Sequence, residues 1–304
     1  MNKIIEVNGL RKSFGELEAV KGIDFYVEQG SMFAFLGPNG AGKSTTIDML
    51  TTQLEPDGGE ASVGGYRLGK EDDGIRSSIG IVFQDSMLDR FLTVKENLFV
   101  RGSFYKLTRK ELKAAVARAV EVADVSGFLD RPYGKLSGGQ RRRADIARAL
   151  IHAPSVLFLD EPTTGLDPQT RKHVWTTIRQ LQKEQGMTIF LTTHYMEEAA
   201  QADYITLMDH GQLLAKGTPS ELKDRYATDL LKLIPTSPTE LAQYLNDRSL
   251  PHTVQGGIYL IPLKRTIDAL PLIEECKGNI TGIEIVSGSL DDVFLNLTGT
   301  GMRA

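Results

Sequence analysis

The chain has 304 residues, of which 41% are hydrophobic and 24% charged, and this composition excludes a disordered or fibrous protein. Its formal net charge of −4 argues against a dedicated nucleic-acid-binding protein, because such proteins usually carry a strongly basic domain. Cys276 is the only cysteine, so no disulfide can form within the chain, and a reducing cytosolic environment fits.

The first residues, MNKIIEVNGL, lack the long apolar core of a signal peptide. No segment reaches the roughly 18 consecutive apolar residues that a membrane span needs. We therefore expect a chain that does not cross a membrane by itself but can bind a protein that does.

From residue 3 to residue 209, short apolar runs alternate with helical patterns. The predicted strands are 3–8, 22–28, 31–36, 79–84, 156–160, 187–193 and 204–209. The predicted helices are 44–54, 109–125, 141–151 and 169–185. Buried strands that alternate with helices indicate an α/β fold with a mostly parallel sheet covered on both faces.

A weaker pattern begins near residue 218 and divides the chain into predicted domains 1–218 and 219–304. Its predicted strands are 230–234, 252–255, 257–262 and 281–286, and its predicted helices are 238–247, 265–276 and 289–297. The order β-α-β-β-α-β followed by a helix favours a small ferredoxin-like α+β domain.

A glycine-rich turn, GPNGAGKS, joins the strand at 31–36 to the helix at 44–54 and matches the phosphate-binding pattern G-x-x-x-x-G-K-[ST]. Backbone N–H groups of such a turn surround an anion, and the helix points its positive end at the same place. Lys43 can reach the β- and γ-phosphates of a nucleotide, and Ser44 can bind Mg²⁺. The alternative is a glycine turn that binds no ligand. The predicted nucleotide-binding residues of this phosphate-binding loop are Gly37, Pro38, Asn39, Gly40, Ala41, Gly42, Lys43, Ser44 and Thr45.

The strand VLFLD at 156–160 runs into two adjacent carboxylates, Asp160 and Glu161. Burying a carboxylate without a partner costs free energy, so we expect a bound cation at this position and a reaction in which a proton is transferred. We predict that Asp160 holds Mg²⁺ and that Glu161, pointing differently, polarises the water that attacks the γ-phosphate. The alternative is that the pair only opens a solvated loop.

A phosphate-binding loop alone is compatible with a kinase, a GTPase or a helicase. The segment LSGGQ, residues 136–140, opens the helical stretch 141–151, where a serine and two glycines can form a second anion site. With Lys43, Asp160 and Glu161 in this order, residues 1 to about 218 resemble the ATP-binding cassette (ABC) family. The resemblance implies a P-loop NTPase cassette with a helical signature subdomain at about 88–152, binding ATP and Mg²⁺.

The resemblance also assigns roles to single residues. Phe14 matches the aromatic that stacks on adenine, although tyrosine is commoner there. Gln84 matches the glutamine that senses Mg²⁺ and links the site to the membrane partner. Asp167 matches the aspartate that crosses to the opposite subunit, and His194 matches the switch histidine that contacts the γ-phosphate. The signature residues implied to contact ATP are Ser137, Gly138, Gly139 and Gln140.

In this family each ATP lies between the phosphate-binding loop of one cassette and the LSGGQ of another, so the resemblance implies a homodimer. It also implies that residues 91–107 form the groove for a helix of the membrane permease, with ordinary core packing as the competing interpretation. The basic run at 141–143 suggests nucleic acid or lipid, but a solvated helix face is favoured.

The ending at 287–299, SGSLDDVFLNLTG, is similar to the C-terminal motif of daunorubicin-resistance-type drug exporter ATPases. The resemblance implies a peripheral protein on the inner face of the cell membrane, with its permease on a separate polypeptide, exporting a hydrophobic drug, antibiotic or lipid. A plain dimerisation or packing module is the competing interpretation of this tail. Other functions that stay open are a soluble ABC ATPase acting on ribosomes or DNA and a non-hydrolysing regulator, although the latter is expected to lack Glu161 or His194.

Overall fold

The computed structural model describes residues 2–299, which form two compact units, 2–216 and 217–299. Met1 and residues 300–304, which belong to the two predicted domains, lie outside the described residues. Within 2–299, no helix has both the length and the apolar character needed to cross a membrane.

The first unit contains the elements that the apolar runs predicted, with shifted ends, and several that they did not. Its strands are β1 (Lys3–Phe14), β2 (Leu17–Glu28), β3 (Met32–Leu36), β4 (Gly58–Val63), β5 (Tyr66–Arg67), β6 (Ile79–Val82), β7 (Val156–Asp160), β8 (Thr188–Thr193), β9 (Tyr204–Asp209) and β10 (Gln212–Gly217). Its helices are α1 (Lys43–Leu50), α2 (Asp72–Ser78), α3 (Val94–Gly102), α4 (Arg109–Val122), α5 (Gly138–Leu150), α6 (Pro168–Gln185) and α7 (Met196–Ala199).

A six-stranded sheet in the order β10-β9-β3-β8-β7-β6 forms the centre of this unit. The strands from β9 to β6 pair in parallel, which confirms the predicted α/β fold with a mostly parallel sheet. Strands β3 and β8 are buried along their whole length, as expected for continuous apolar runs. Because β3, β8 and β7 are neighbours, the loops after their carboxyl ends meet at one edge of the sheet.

The N-terminal strands form a separate antiparallel sheet, β2-β1-β4-β5, that the sequence did not predict. Its apolar residues pack on the parallel sheet in one core with an aromatic cluster. Phe33, for example, lies with its ring centroid 5.5 Å from that of Phe25 and 5.1 Å from that of Phe190. Strands therefore contribute to covering the parallel sheet.

Helices α3, α4 and α5 pack on one another between β6 and β7. Each of these helices begins with a capping box. In this motif the side chain of the N-cap residue accepts a hydrogen bond from the backbone N–H of the third helical residue, whose side chain accepts one from the N-cap N–H. The pairs are Thr93–Glu96, Thr108–Glu111 and Ser137–Gln140. The start of α5 is thus fixed by the signature residues themselves.

The second unit has the β-α-β-β-α-β order of a ferredoxin-like module, preceded by one helix and followed by another. Its elements are α8 (Pro219–Tyr226), β11 (Asp229–Pro235), α9 (Pro238–Asp247), β12 (Thr253–Gln255), β13 (Ile258–Leu263), α10 (Ala269–Cys276), β14 (Ile280–Val286) and α11 (Leu290–Thr298). The sheet order is β12-β13-β11-β14, antiparallel throughout. Buried residues of α9 and α10 pack on this sheet in a core of their own.

Candidate functional site

The phosphate-binding loop leaves β3 at Leu36 and enters α1 at Lys43. Gly40 and Gly42 have φ values of +80° and +103°, a backbone conformation that favours glycine. A Cβ on Gly37 would lie 2.1 Å from the Met208 carbonyl oxygen, so the loop also packs too closely against β9 for a side chain. Among residues 2–299 no side chain caps α1, so its first N–H groups are available to an anion.

Lys43 is buried beneath this loop, and its Nζ donates to the carbonyl oxygens of Gly37 at 2.7 Å and Pro38 at 3.0 Å. The same Nζ lies 3.8 Å from Glu161 Oε1. Burial lowers the pKa of the Lys43 ammonium, while the carboxylates of Glu161 and Asp160 oppose that shift. A cation therefore sits between the loop and the carboxylates at the end of β7.

Asp160 lies at the tip of β7 beside the start of α1. Its Oδ1 accepts hydrogen bonds from Ser44 Oγ at 3.2 Å and from Thr192 Oγ1 at 2.6 Å. A carboxylate and a hydroxyl are the hard oxygen donors that Mg²⁺ prefers, and Mg²⁺ is usually held by one or two carboxylates plus substrate phosphates. The donors present therefore fit Mg²⁺ bound together with a nucleotide.

Glu161 is buried, and its backbone has φ +45°, an uncommon conformation for a residue with a side chain. Its Oε1 lies 3.2 Å from His194 Nδ1, and its Oε2 accepts a hydrogen bond from Thr164 Oγ1 at 3.0 Å. Lys43 and His194 thus converge on one carboxylate oxygen. The group can accept a proton from a water molecule, and His194 and Thr164 hold it in one orientation.

The signature residues form a second cluster with the loop before α6. Asp167 caps α6 by accepting the Thr170 N–H at 3.0 Å, and hydrogen bonds from Thr170 hold the pKa of Asp167 below its usual range. A Cβ on Gly139 would lie 2.0 Å from Thr170 Cγ2, and one on Gly138 would lie 2.9 Å from Leu166 Cδ2. Glycine is therefore required for α5 to approach α6 this closely.

The structure brings some of the predicted site residues together and leaves others apart. The phosphate-binding loop, Asp160, Glu161 and His194 form one cluster. Within residues 2–299, no hydrogen bond or ion pair joins the signature segment to that cluster. Phe14 is 51% exposed near the turn between β1 and β2, and the exposed Gln84 makes no side-chain hydrogen bond within the same residues.

The interpretation of 141–143 as a solvated face is wrong at Arg142, whereas Arg141 and Arg143 are half-buried. Arg142 is buried, and its guanidinium donates to the carbonyl oxygens of Phe83, Gln84 and Glu161. Sequence reasoning missed this residue because its partners are distant in the chain. Arg142 ties α5 to the loop after β6 and to the backbone of the candidate catalytic carboxylate.

A second buried group joins the same elements. Asp145 of α5 accepts hydrogen bonds from Ser86 Oγ at 2.7 Å and from the Tyr133 hydroxyl at 3.1 Å. Burial raises the pKa of Asp145, and the nearby positive charge of Arg142 opposes that shift. Arg142 and Asp145 therefore both attach α5 to the loop after β6. Apolar periodicity in the sequence does not reveal these polar contacts.

The segment 91–107 contains both core residues and exposed apolar side chains. Val94 and Leu98 of α3 are fully buried, whereas Phe91 is 93% and Phe104 is 73% exposed. A groove of about 490 Å³ lies between α3 and β6. It is lined by residues 51–53, by some of the residues between 81 and 104, and by Arg76 and Arg148. The exposed side chains of Met87 and Phe104 line this groove.

Comparisons with known proteins agree with this geometry. The family model "ABC transporter" matches residues 20–164. The chain is 38% identical to the linearmycin resistance ATP-binding protein of Bacillus subtilis over 99% of this chain and 100% of that protein. It is also 38% identical to the Nod factor export ATP-binding protein I of Rhizobium sp. over the full length of both proteins. The identity to the daunorubicin/doxorubicin resistance ATP-binding protein of Streptomyces peucetius is 38% as well, over 98% of this chain and 93% of that protein.

Solved structures show the same cassette. The protein cbiO1 of Clostridium perfringens, part of an ABC transporter complex, matches with a TM-score of 0.69 and 30% identity over 82% of this chain and 96% of its own. A dimeric ATP-binding cassette in a post-hydrolysis state, bound to ADP and Pi, matches with a TM-score of 0.64 and 27% identity over 70% of this chain and 98% of its own.

Proposed function

Because the chain belongs to the family of ABC transporter ATP-binding proteins, we propose that it powers a separate membrane permease that exports a hydrophobic drug, antibiotic or lipid. Its enzymatic activity is ATP hydrolysis coupled to transport. Three relatives of nearly full-length similarity are named for linearmycin resistance, Nod factor export and daunorubicin/doxorubicin resistance. None of these names refers to ribosomes or DNA, the setting of the alternative function.

The observation that carries the proposal is the convergence of Lys43, Glu161 and His194 below a glycine loop at the edge of the parallel sheet. In the proposed reaction, Lys43 binds the terminal phosphates and Glu161 orients the attacking water and takes its proton. Ser44 and Asp160 would hold Mg²⁺, with Gln84 as a further ligand, and bound Mg²⁺ neutralises phosphate charge.

The separation of the signature segment from this cluster supports a site shared between two copies. We propose that Ser137 and the glycines that follow it bind the γ-phosphate held by the opposite copy, and that Asp167 contacts that copy. ATP then favours the closed homodimer because it contacts both copies only when they meet. Phe14 is proposed to stack on adenine, which its exposed ring permits.

The domain assignment is part of the same proposal. Residues 1–218 act as the cassette, 88–152 as its signature subdomain and 219–304 as a domain for dimerisation or regulation. The groove beside α3 is proposed as the permease-binding surface, which places the protein on the inner face of the cell membrane.

The proposal predicts that a membrane protein of about six spans is encoded beside this gene, and co-expressing that protein with this chain tests it. The purified complex is reconstituted into vesicles in the inverted orientation. These vesicles are expected to accumulate a hydrophobic drug only when Mg-ATP is added. The matched control is Glu161→Gln, which should assemble with the permease but not transport. The proposed role would be contradicted if the chain hydrolyses ATP but does not bind the co-expressed membrane protein.

A further inference from the structure

Another buried carboxyl group, on α7, contacts both segments that carry the candidate catalytic residues. Glu198 is only 1% exposed. Its Oε1 accepts a hydrogen bond from Thr163 Oγ1, and its Oε2 accepts one from Thr193 Oγ1 at 2.6 Å. Within residues 2–299 Glu198 makes no ion pair. Burying a carboxylate without a cation costs free energy, so stability alone does not explain this residue.

The two threonines that bind this carboxyl group belong to different segments of the site. Thr163 follows Glu161 by two residues in the turn after β7, and the next residue, Thr164, donates a hydrogen bond from its Oγ1 to Glu161 Oε2 at 3.0 Å. Thr193 is the last residue of β8 and directly precedes His194. The buried carboxyl group therefore joins the turn that carries Glu161 to the strand end that carries His194.

Strand pairing stops before the candidate catalytic residues. The parallel pairing of β7 with β8 ends at Asp160 and Thr192, so Glu161 and His194 lie beyond the last pair. At Glu161 the backbone has φ +45°, far from the strand conformation. The relative position of the Glu161 and His194 side chains therefore depends on contacts that other side chains make.

The hydroxyl group of Thr193 is arranged to donate to Glu198. Its oxygen accepts a hydrogen bond from the Tyr195 N–H at 2.9 Å, which leaves its proton for the carboxyl group. Tyr195 also contacts Arg171 of α6, whose guanidinium lies 4.5 Å from the ring centroid. Both of these groups are half-buried, and such a contact is weaker than hydrogen bonds to a buried charged group. The bridge through Glu198 is therefore the stronger restraint on the segment that begins at His194.

We propose that Glu198 is a positioning residue that keeps Glu161 and His194 aligned for ATP hydrolysis. This inference rests on the proposed function, in which Glu161 takes the proton of the attacking water. Glu198 binds the two threonine hydroxyls, so it acts through the turn after β7 and the end of β8 and not on the nucleotide itself. Misplacing a catalytic group by about 1 Å can lower a rate by about 100-fold, whereas ATP binding by the phosphate-binding loop does not need this alignment.

The test compares Glu198→Leu with Glu197→Leu, because the neighbouring Glu197 side chain is exposed. Leucine is similar in size to glutamate but accepts no hydrogen bond, so in Glu198→Leu both threonine hydroxyls lose their acceptor. In a phosphate-release assay of the purified chain, this variant is expected to lower kcat by at least about tenfold. The Kd of ATP, measured by calorimetry, should change by less than about twofold, since the lost contacts are not made to ATP. Glu197→Leu should change neither quantity.

Two conservative variants show whether the hydrogen bonds themselves set the rate. Glu198→Gln keeps one oxygen acceptor, so its kcat should lie between those of the wild-type protein and Glu198→Leu. Thr163→Val keeps the shape of threonine but removes its hydroxyl, and it should also lower kcat without changing ATP affinity. Because both substitutions break the same bridge, the double variant Thr163→Val with Glu198→Leu should lose no more activity than Glu198→Leu alone.

The outcomes separate this inference from the proposed function. A wild-type kcat in Glu198→Leu or Thr163→Val would overturn the inference, and so would an equal loss of kcat and ATP affinity, which a purely structural role predicts. If Glu198→Leu does not fold, the two conservative variants decide in the same way. Full hydrolysis by Glu161→Gln would instead remove the role of Glu161 and with it the proposed reaction. If Glu161→Gln is inactive while Glu198→Leu is fully active, only the inference fails.

Discussion

Replacing Arg142 by methionine removes a buried guanidinium and leaves the carbonyl oxygens of Phe83, Gln84 and Glu161 without their donor. Each unsatisfied buried polar group costs about 1–3 kcal/mol, and breaking a buried charged contact typically costs about 3–5 kcal/mol. Methionine fills much of the same volume, so little cavity cost adds to this. We expect the free energy of unfolding to fall by about 3–5 kcal/mol.

The assay is thermal unfolding of the purified chain. For a unit of this size each kcal/mol lowers Tm by about 2–4 °C, so Arg142→Met should lower Tm by roughly 6–20 °C. ATP hydrolysis should also fall, because the Glu161 backbone loses a contact that positions it.

The neighbouring Arg143→Met variant is the matched control. The Arg143 side chain is 20% exposed and lies over the Phe128 ring, a contact that methionine can keep. Its guanidinium pairs at 2.6 Å with an Asp124 carboxylate that is 78% exposed, so the pair contributes about 1 kcal/mol at most. Its Tm should change by only about 2–4 °C. Equal losses of stability in the two variants would refute the assignment of Arg142 as a buried connector.

Three further substitutions test the site. Glu161→Gln should keep ATP binding but lower turnover by at least 100-fold in a phosphate-release assay, because the amide cannot accept the proton of water, and it should accumulate an ATP-bound dimer. Lys43→Ala should weaken nucleotide binding at least tenfold by calorimetry, because the phosphates lose their buried cation. Gly139→Ala should lower stability, since its methyl would meet Thr170 Cγ2, and adding Thr170→Ser, which removes the Thr170 methyl, should restore that stability.

Each of these predictions has an outcome against it. Only monomer in size-exclusion chromatography of Glu161→Gln with Mg-ATP would count against the shared site. Unchanged calorimetric affinity in Lys43→Ala would mean that the loop is misinterpreted. A Gly139→Ala variant that Thr170→Ser does not rescue would show that close helix packing is not why glycine stands there.

The central sheet was predictable because its strands are continuous apolar runs with glycine and carboxylates at their ends. The loop at 37–44 and the carboxylates after β7 could be placed together because parallel neighbours end at the same edge. The N-terminal sheet was not predictable in this way. It depends on pairing of β1 with β4, which lie far apart in the sequence, and β4 carries no distinctive strand pattern.

Arg142 shows the limit of reasoning from local pattern. A run of three arginines on a helix has the composition of a solvated surface, and its burial depends on carbonyl groups 59, 58 and 19 residues away. The role of Gly139 has the same origin, since the side chain that requires it, Thr170, belongs to another helix. Such contacts are decided by tertiary packing, which apolar periodicity does not encode.

The most direct test of the account is whether the phosphate-binding loop of one copy meets the signature segment of another. Asn39→Cys and Ser137→Cys, each made in the Glu161→Gln protein, are mixed and exposed to mild oxidant; the native Cys276 is buried and contributes little background. The shared site predicts disulfide-linked dimers only in the mixture and only with Mg-ATP. Absence of that dimer from the mixture, in protein that still binds ATP, would contradict the account.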